Sequence, residues 1–365
     1  MIVLRIFIFV SVLLLALIFA YYNLQGVKLV FFQYSVEMPL FLAILISFVA
    51  GFLIAFMLSE IKSLRWKRYT EKLKKGLSYM WKGYPSKAET ELSKLLNNEE
   101  ITPLVVNVQK ALGKIPSLKT EKYKEGIAET ALAEALLRED LEKSKDLLEK
   151  ALGKQWKNLK ARKLLRSIYF LKGEREKALE LQRSIISDSE KNMRDNEKRI
   201  LATLLTEVKG EESITEVEKL PPTPTSLAFL SSIQDNKRRK KSFSRAFTEG
   251  IQNEVLTILI EKNALNPEIL EIAEENKKSI KKEVMALLYL SVGMYEKLEE
   301  LKESLREPIK LITDLGNEKA KECGKEIALL LYLWECSACG KEFKKYSPLC
   351  SNCLEWNKLR VKGGS

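Results

Sequence analysis

Two long uncharged runs open the chain. Ile6–Val27 carries no charge, and Met38–Ser59 is again uncharged and rich in Leu, Ile, Phe and Val. A bilayer core of ~30 Å is crossed by about 20 such residues in a helix, so the pattern predicts two spans. The link between them, Asn23 to Glu37, contains Val27-Lys-Leu-Val-Phe-Phe, which reads as a strand or as an interfacial segment. No Asp, Glu, Lys or Arg lies inside either run, so nothing marks an ion or substrate path. From about Lys67 to Leu333 the texture changes to Leu, Ala, Glu and Lys with apolar residues at helical spacing.

Several of these helical stretches share one layout. Gly76-Leu-Ser-Tyr79 is followed by Gly83, Ala88 and Leu92. Leu164–Tyr169 is followed by Gly173 and Ala178, and Leu287–Leu290 by Gly293 and Leu298. A Gly between two helices supplies a left-handed turn, and a small or apolar residue five positions later lets the second helix approach the first. Ser144 lies 34 residues before Ala178, the tetratricopeptide period. The expected core is thus a solenoid of helix pairs, whose concave groove would receive an extended peptide or a partner helix. Leu220-Pro-Pro-Thr-Pro-Thr225 breaks helices and marks a loop or inter-repeat bend. Asn236-Lys-Arg-Arg-Lys-Lys241 is expected to be a solvated loop or a helix start on the outer face.

Charge changes the picture in one place. The chain of 365 residues carries a formal net charge of +12, and Lys62, Arg65, Lys67, Arg68, Lys72, Lys74 and Lys75 directly follow the second run. The positive-inside rule puts that side in the cytoplasm, with the N-terminus there too and the short link outside. These cations suit anionic lipid headgroups. There is no histidine, which removes Ser-His-Asp and Cys-His chemistry and every His-ligated metal site. Walker A loops, nucleophile elbows and zincin motifs are absent as well, so no catalysis is expected.

Four of the five cysteines stand in two Cys-x-x-Cys knuckles: Cys336 with Cys339, and Cys350 with Cys353. Two residues between thiolates let both face one ion, and two knuckles give the tetrahedral sulfur set suited to Zn²⁺ or a single Fe. With all four positions filled the site is closed, which favours a structural role. Gly340 follows Cys339, where such a turn needs positive φ. Cys323 shares a helical face with Ala320, Ile327, Leu330 and Leu331 and is expected in the core. A last helix from about Asn317 to Leu333 enters the knuckles without a linker. Trp334, Phe343 and Trp356 then either dock the ribbon on the final helices or form its own small core. Loss of metal is expected to loosen that last helix and to spare the repeats before Pro221. Lys341, Lys344 and Lys345 are too few to suggest nucleic-acid binding.

Two resemblances follow from these residues. Ala20-Tyr-Tyr-Asn23-Leu-Gln25-Gly-Val27, Pro39-Leu40 and Gly51-Phe52 resemble lipopolysaccharide assembly protein A, a two-span bacterial inner-membrane protein, over about residues 1–75. The tail Cys336, Cys339, Gly340, Cys350, Cys353 and Trp356, behind a tetratricopeptide-like array, resembles the rubredoxin-like module of lipopolysaccharide assembly protein B. Ser351 stands where that family usually has Pro, and Pro348-Leu349 replaces its aromatic before the third Cys. The resemblance implies an all-α protein with a transmembrane hairpin (1–60), a basic juxtamembrane segment (61–75), a tetratricopeptide-like domain (76–333) and a rubredoxin-like ribbon (334–360). It implies one Zn or Fe on Cys336, Cys339, Cys350 and Cys353. It also implies an inner-membrane adaptor, with the bulk of the chain cytoplasmic. Such an adaptor brings the lipid A deacetylase to a membrane AAA protease, and it scaffolds lipopolysaccharide-synthesis enzymes. A membrane-tethered iron redox protein is the alternative reading of the same four cysteines.

Overall fold

The link between the two apolar runs is a β-hairpin. β1 (Gly26–Phe31) pairs antiparallel with β2 (Tyr34–Pro39), opposing Val27 to Met38, Leu29 to Val36 and Lys28 to Glu37. Of the two readings of this link, the strand is the one observed. The computed structural model describes residues 25–31, 34–233, 235–301, 305 and 334–362, with Val10, Ser11, Leu14, Leu15, Leu17–Phe19, Tyr21 and Tyr22. Part of the expected first span, and the expected last helix from Asn317 with Cys323, lie outside the described residues.

The chain divides into two compact units, Met1–Asn97 and Asn98–Ser365. The first is dominated by α1 (Leu40–Trp81), a single helix of 42 residues. Its uncharged start is apolar on every side, and none of its most apolar window is buried in the protein. A helix apolar all round must be covered by core or by lipid; none of this window is buried among the described residues, which suits a membrane span. Ser47 returns its hydroxyl to the Ala43 carbonyl at 2.9 Å, so its one polar group is satisfied within the helix. Beyond Ser59 the same helix continues through the basic residues without a break. It ends at Gly83 (φ 74°), after which α2 (Pro85–Ser93) folds back. A Cβ at Gly76 would lie 2.6 Å from Leu92 Cδ2, so a side chain there would displace Leu92 where α2 crosses α1. Ala88 and Leu92 are fully buried there, as the repeat pattern predicts.

The second unit is a stack of helices. α3 (Thr102–Ala111) leads to α4 (Ile127–Leu136) and α5 (Leu141–Lys154). α6 (Leu159–Leu171) and α7 (Arg175–Asp188) follow, then α8 (Arg194–Lys209) and the short α9 (Ile214–Val217). α10 (Pro224–Ile233), α11 (Asn236–Thr248), α12 (Gln252–Glu261), α13 (Pro267–Glu275), α14 (Lys282–Val292) and α15 (Tyr295–Leu301) continue the stack. α4 packs on α5, α6 on α7 and α10 on α11, while α8, α10, α12 and α14 lie side by side in one layer and α11 and α13 in the other. Gly173 (φ 78°) and Gly293 (φ 75°) make the expected turns. Ser144, Ala178 and Ala246 are each wholly buried in the second helix of a pair. Ala246 comes two periods after Ala178. The intervening repeat is the degenerate one. Its second helix shrinks to a 3₁₀ turn, Gly210–Ser213, and α9.

The helix ends show how local chemistry sets these bounds. Glu99 turns its carboxylate into the start of α4 and accepts from the backbone N–H groups of Lys124, Glu125, Ile127 and Ala128 at 2.7–3.2 Å. Those donors are orphaned at a helix N-terminus, and a carboxylate suits the positive end of the helix dipole. The proline run ends as α10 begins, with Thr223 and Ser226 capping each other's backbone N–H. The basic run is the start of α11, capped by Asp235, whose carboxylate accepts from Arg238 N at 3.0 Å. Arg239 pairs with Glu268 and Lys240 with Glu271 on α13, so part of its charge ties the second layer together.

Candidate metal centre

The C-terminal ribbon is a three-stranded sheet of β3 (Trp334–Cys336), β4 (Glu342–Phe343) and β5 (Leu359–Val361), with β3 central. Its two knuckles close in the same way. The N–H of the first cysteine reaches the carbonyl five residues on, Cys336 to Lys341 at 2.9 Å and Cys350 to Glu355 at 3.0 Å. Its carbonyl accepts from the residue four on, Gly340 or Leu354, at 2.8 Å in both. Gly340 has the expected positive φ of 69°, and Leu354 occupies the equivalent position at φ 59°. A left-handed non-glycine residue costs ~1–2 kcal/mol. The Leu354 side chain offsets this by packing with the cluster around Leu349 and Trp356. The sequence pattern signals Gly340 but not Leu354.

The four sulfurs converge. Cys336 Sγ lies 3.6 Å from Cys353 Sγ, and Cys339 Sγ lies 3.8 Å from Cys350 Sγ, with all four within 4.8 Å of one another. Zn–S bonds of ~2.3 Å set sulfurs ~3.8 Å apart at the corners of a tetrahedron, so the cluster fits one such ion. Cys336 and Cys350 are buried, Cys353 is half-buried and Cys339 is exposed. The Asn352 side-chain amide, followed by the Lys341 backbone N–H, pulls Cys339 down to about 6. Burial pushes Cys350 and Cys353 up. Four thiolates this close would repel one another without a cation, so the cluster could hold one metal ion, and its all-sulfur donor set suits soft divalent ions.

The ribbon is not confined to the last helices. Trp334 is fully buried and donates from Nε1 to Glu261 Oε1 on α12 at 2.5 Å, while Glu261 Oε2 accepts from Tyr346 N at 3.2 Å. Burial raises the Glu261 carboxyl above its ordinary range despite these two donors. The Tyr346 hydroxyl meets Thr225 Oγ1 on α10 at 3.1 Å, and Asn357 Oδ1 accepts from Thr203 on α8 at 3.1 Å. Trp356 donates to Ser167 Oγ on α6 at 3.1 Å, packs edge-on to Phe170 and lies under the Arg166 guanidinium. Arg138, just after α4, donates to the Asn352 carbonyl at 3.2 Å, and Lys281 before α14 reaches the Val361 carbonyl. Every one of these seats is on, or beside, the first helix of a pair. The face expected to receive a partner is therefore covered along this line by the chain's own ribbon. α12 is buried from Glu254 to Ile260 for this reason, with the ribbon on one side and the other helices on the remainder. Docking and core formation, two alternatives in the sequence, are the same contacts here, with half-buried Phe343 packed on the shared cluster.

An open apolar cleft of about 680 Å³ lies elsewhere, between α5, α6 and α7. Leu152, Leu165, Tyr169 and Leu181 line it, and the exposed Trp156 stands at its edge.

The described residues thus define a protein with a membrane-length helix, a helix-pair array and a four-cysteine ribbon. Residues 22–80 match the lipopolysaccharide assembly protein A domain. A crystal structure of a tetratricopeptide repeat protein from Parabacteroides merdae is similar at 14% identity with a TM-score of 0.37, covering 72% of this chain and 99% of that one. Comparison with curated protein sequences finds no match.

Proposed function

We propose that this chain is a membrane-anchored adaptor in lipopolysaccharide assembly, without catalysis of its own. In this reading it presents the lipid A deacetylase to a membrane AAA protease and gathers lipopolysaccharide-synthesis enzymes at the bacterial inner membrane. The observation that carries the reading is the joining of a lipopolysaccharide assembly protein A domain, residues 22–80, to a helix-pair array. Such arrays serve as binding scaffolds. The tether confines the scaffold, which raises the local concentration of partner and protease without new contacts. The ribbon's ion is structural in this account: it holds the array in shape.

Two measurements test the proposal. Cells lacking the protein should hold the deacetylase with a half-life several-fold longer. A membrane-free fragment, residues 98–365, should bind the deacetylase without restoring its turnover. An unchanged half-life, together with the visible spectrum of a mononuclear iron site, would favour the redox reading instead. The two-pass topology, with the array cytoplasmic, is tested by impermeant thiol labelling of intact cells. Cysteine introduced at Ser35, exposed in β2, should react from outside, and cysteine at Ser86, exposed in α2, should not. Labelling at Ser86 would place the array outside.

A further inference from the structure

Cys339 is the exposed sulfur of the four, and one side chain from the opposite knuckle covers it. Asn352 sits between Cys350 and Cys353, and its Nδ2 reaches Cys339 Sγ at 3.3 Å. This hydrogen bond crosses from the second knuckle to the first. The carbonyl of Asn352 is held in turn by Arg138 Nε at 3.2 Å, from the turn after α4. Arg138 therefore acts on the cluster through Asn352, by fixing the residue whose side chain reaches Cys339.

We propose that Asn352 and Arg138 are positioning residues of the metal centre, so that the ribbon binds its ion more tightly when seated on the helical array. The proposal rests on the four thiolates holding an ion. An N–H donor on a thiolate stabilises its negative charge among the other three sulfurs and holds it oriented toward the ion. Removing such outer partners typically weakens metal affinity ~10–100-fold. Arg138 is exposed and Asn352 half-buried, so neither substitution empties a core position.

The test uses the full chain in detergent, loaded with Zn²⁺ and titrated with a chromophoric chelator, and with Co²⁺ as an optical probe. Asn352→Ala should weaken Zn²⁺ binding ~10–100-fold and move the sulfur-to-cobalt charge-transfer band. Arg138→Ala should weaken binding several-fold, with Arg138→Lys recovering part of it. The melting temperature of the metal-free forms should stay at the wild-type value, which a merely structural role would not leave in place. Wild-type affinity and an unmoved cobalt band in Asn352→Ala would overturn the proposal. Weakening in Asn352→Ala with wild-type affinity in Arg138→Ala would overturn the link to the array. A wild-type chain that takes up no Zn²⁺ or Co²⁺ would overturn the metal centre itself.

Discussion

Replacing Cys350 by serine should reduce bound metal to near zero and destabilise the helical array back to α4, well beyond the last helices. Structural zinc contributes on the order of 10 kcal/mol to folding in small modules, and a ribbon of this size has little core to take its place. Its largest apolar residues are buried against the array: Trp334 and Leu359 are wholly buried and Trp356 nearly so. Trp334 and Leu359 belong to one cluster with α12 and α14, and Trp356 to another with α7 and α8. Deleting one such aromatic from a core costs ~3–5 kcal/mol, and loosening the ribbon removes several at once. The expected fall in melting temperature is roughly 10 °C or more, using ~2–4 °C per kcal/mol for a unit of this size. Limited proteolysis should then cut in α6 and α8 as well as near the C-terminus. Full metal content in Cys350→Ser would exclude the four-cysteine site. Lost metal with uncut α6 and α8 would restore the narrower expectation, in which the repeats before Pro221 are indifferent to the ribbon.

That contrast marks where sequence reading stops. The apolar stretch of α1, the glycine turns at Gly83, Gly173 and Gly293, and the two knuckles are all set by residues close together in the chain. Helical period, left-handed φ and ligand spacing are local requirements, so they leave local marks. Ser144 was legible for the same reason. It repeats the position of Ala178 one period earlier, and it fits because its hydroxyl returns to the Ala133 and Asp140 carbonyls at 3.0 and 2.8 Å.

The seat of the ribbon left no such mark. Trp356 meets Ser167 across 189 residues, and Asn357 meets Thr203 across 154. Ser167, Thr203 and Thr225 are ordinary small polar residues within helices, and nothing in their spacing distinguishes a docking hydroxyl from a core one. The same holds for Leu354, whose left-handed φ is imposed by knuckle closure and tolerated because of packing from α7 and α8. The basic run 237–241 read as a solvated loop or a helix start; it is a helix start, and its partners Glu268 and Glu271 lie on another helix. Long-range pairing thus decides which face of the array is open.

Arg166→Ala should cost about 3–5 kcal/mol, as much as deleting a buried aromatic, because it strands a buried carboxylate. Glu197 is almost wholly buried, and it accepts from Arg166 at 2.9 Å, Lys163 at 2.6 Å and Gln182 at 3.0 Å. Gln182 also ties Arg166 to this network and donates to the Glu197 carbonyl at 2.7 Å. The Arg166 guanidinium is also stacked on Trp356, 5.1 Å from the ring centroid, so the same side chain joins the buried ion pair to the ribbon. Burial alone would raise Glu197, but Arg166, then Lys163 and Gln182, outweigh it and hold the carboxyl below its ordinary 4.5. Burial likewise lowers Arg166, but a guanidinium stays charged at any working pH. For a group whose folded value is depressed, the stabilisation is fully present above the unfolded value. It is lost as pH falls through the folded one. Wild type should therefore lose stability below about pH 4.5, from this group among others. In Arg166→Ala the strongest opposing charge is gone and burial dominates, so the loss on acidification should flatten while stability at pH 7 drops. Urea unfolding of the metal-loaded chain between pH 4 and 7 reads both effects. An unchanged midpoint at pH 7 with an unchanged acid limb would mean that this network contributes nothing to holding the ribbon and the array together.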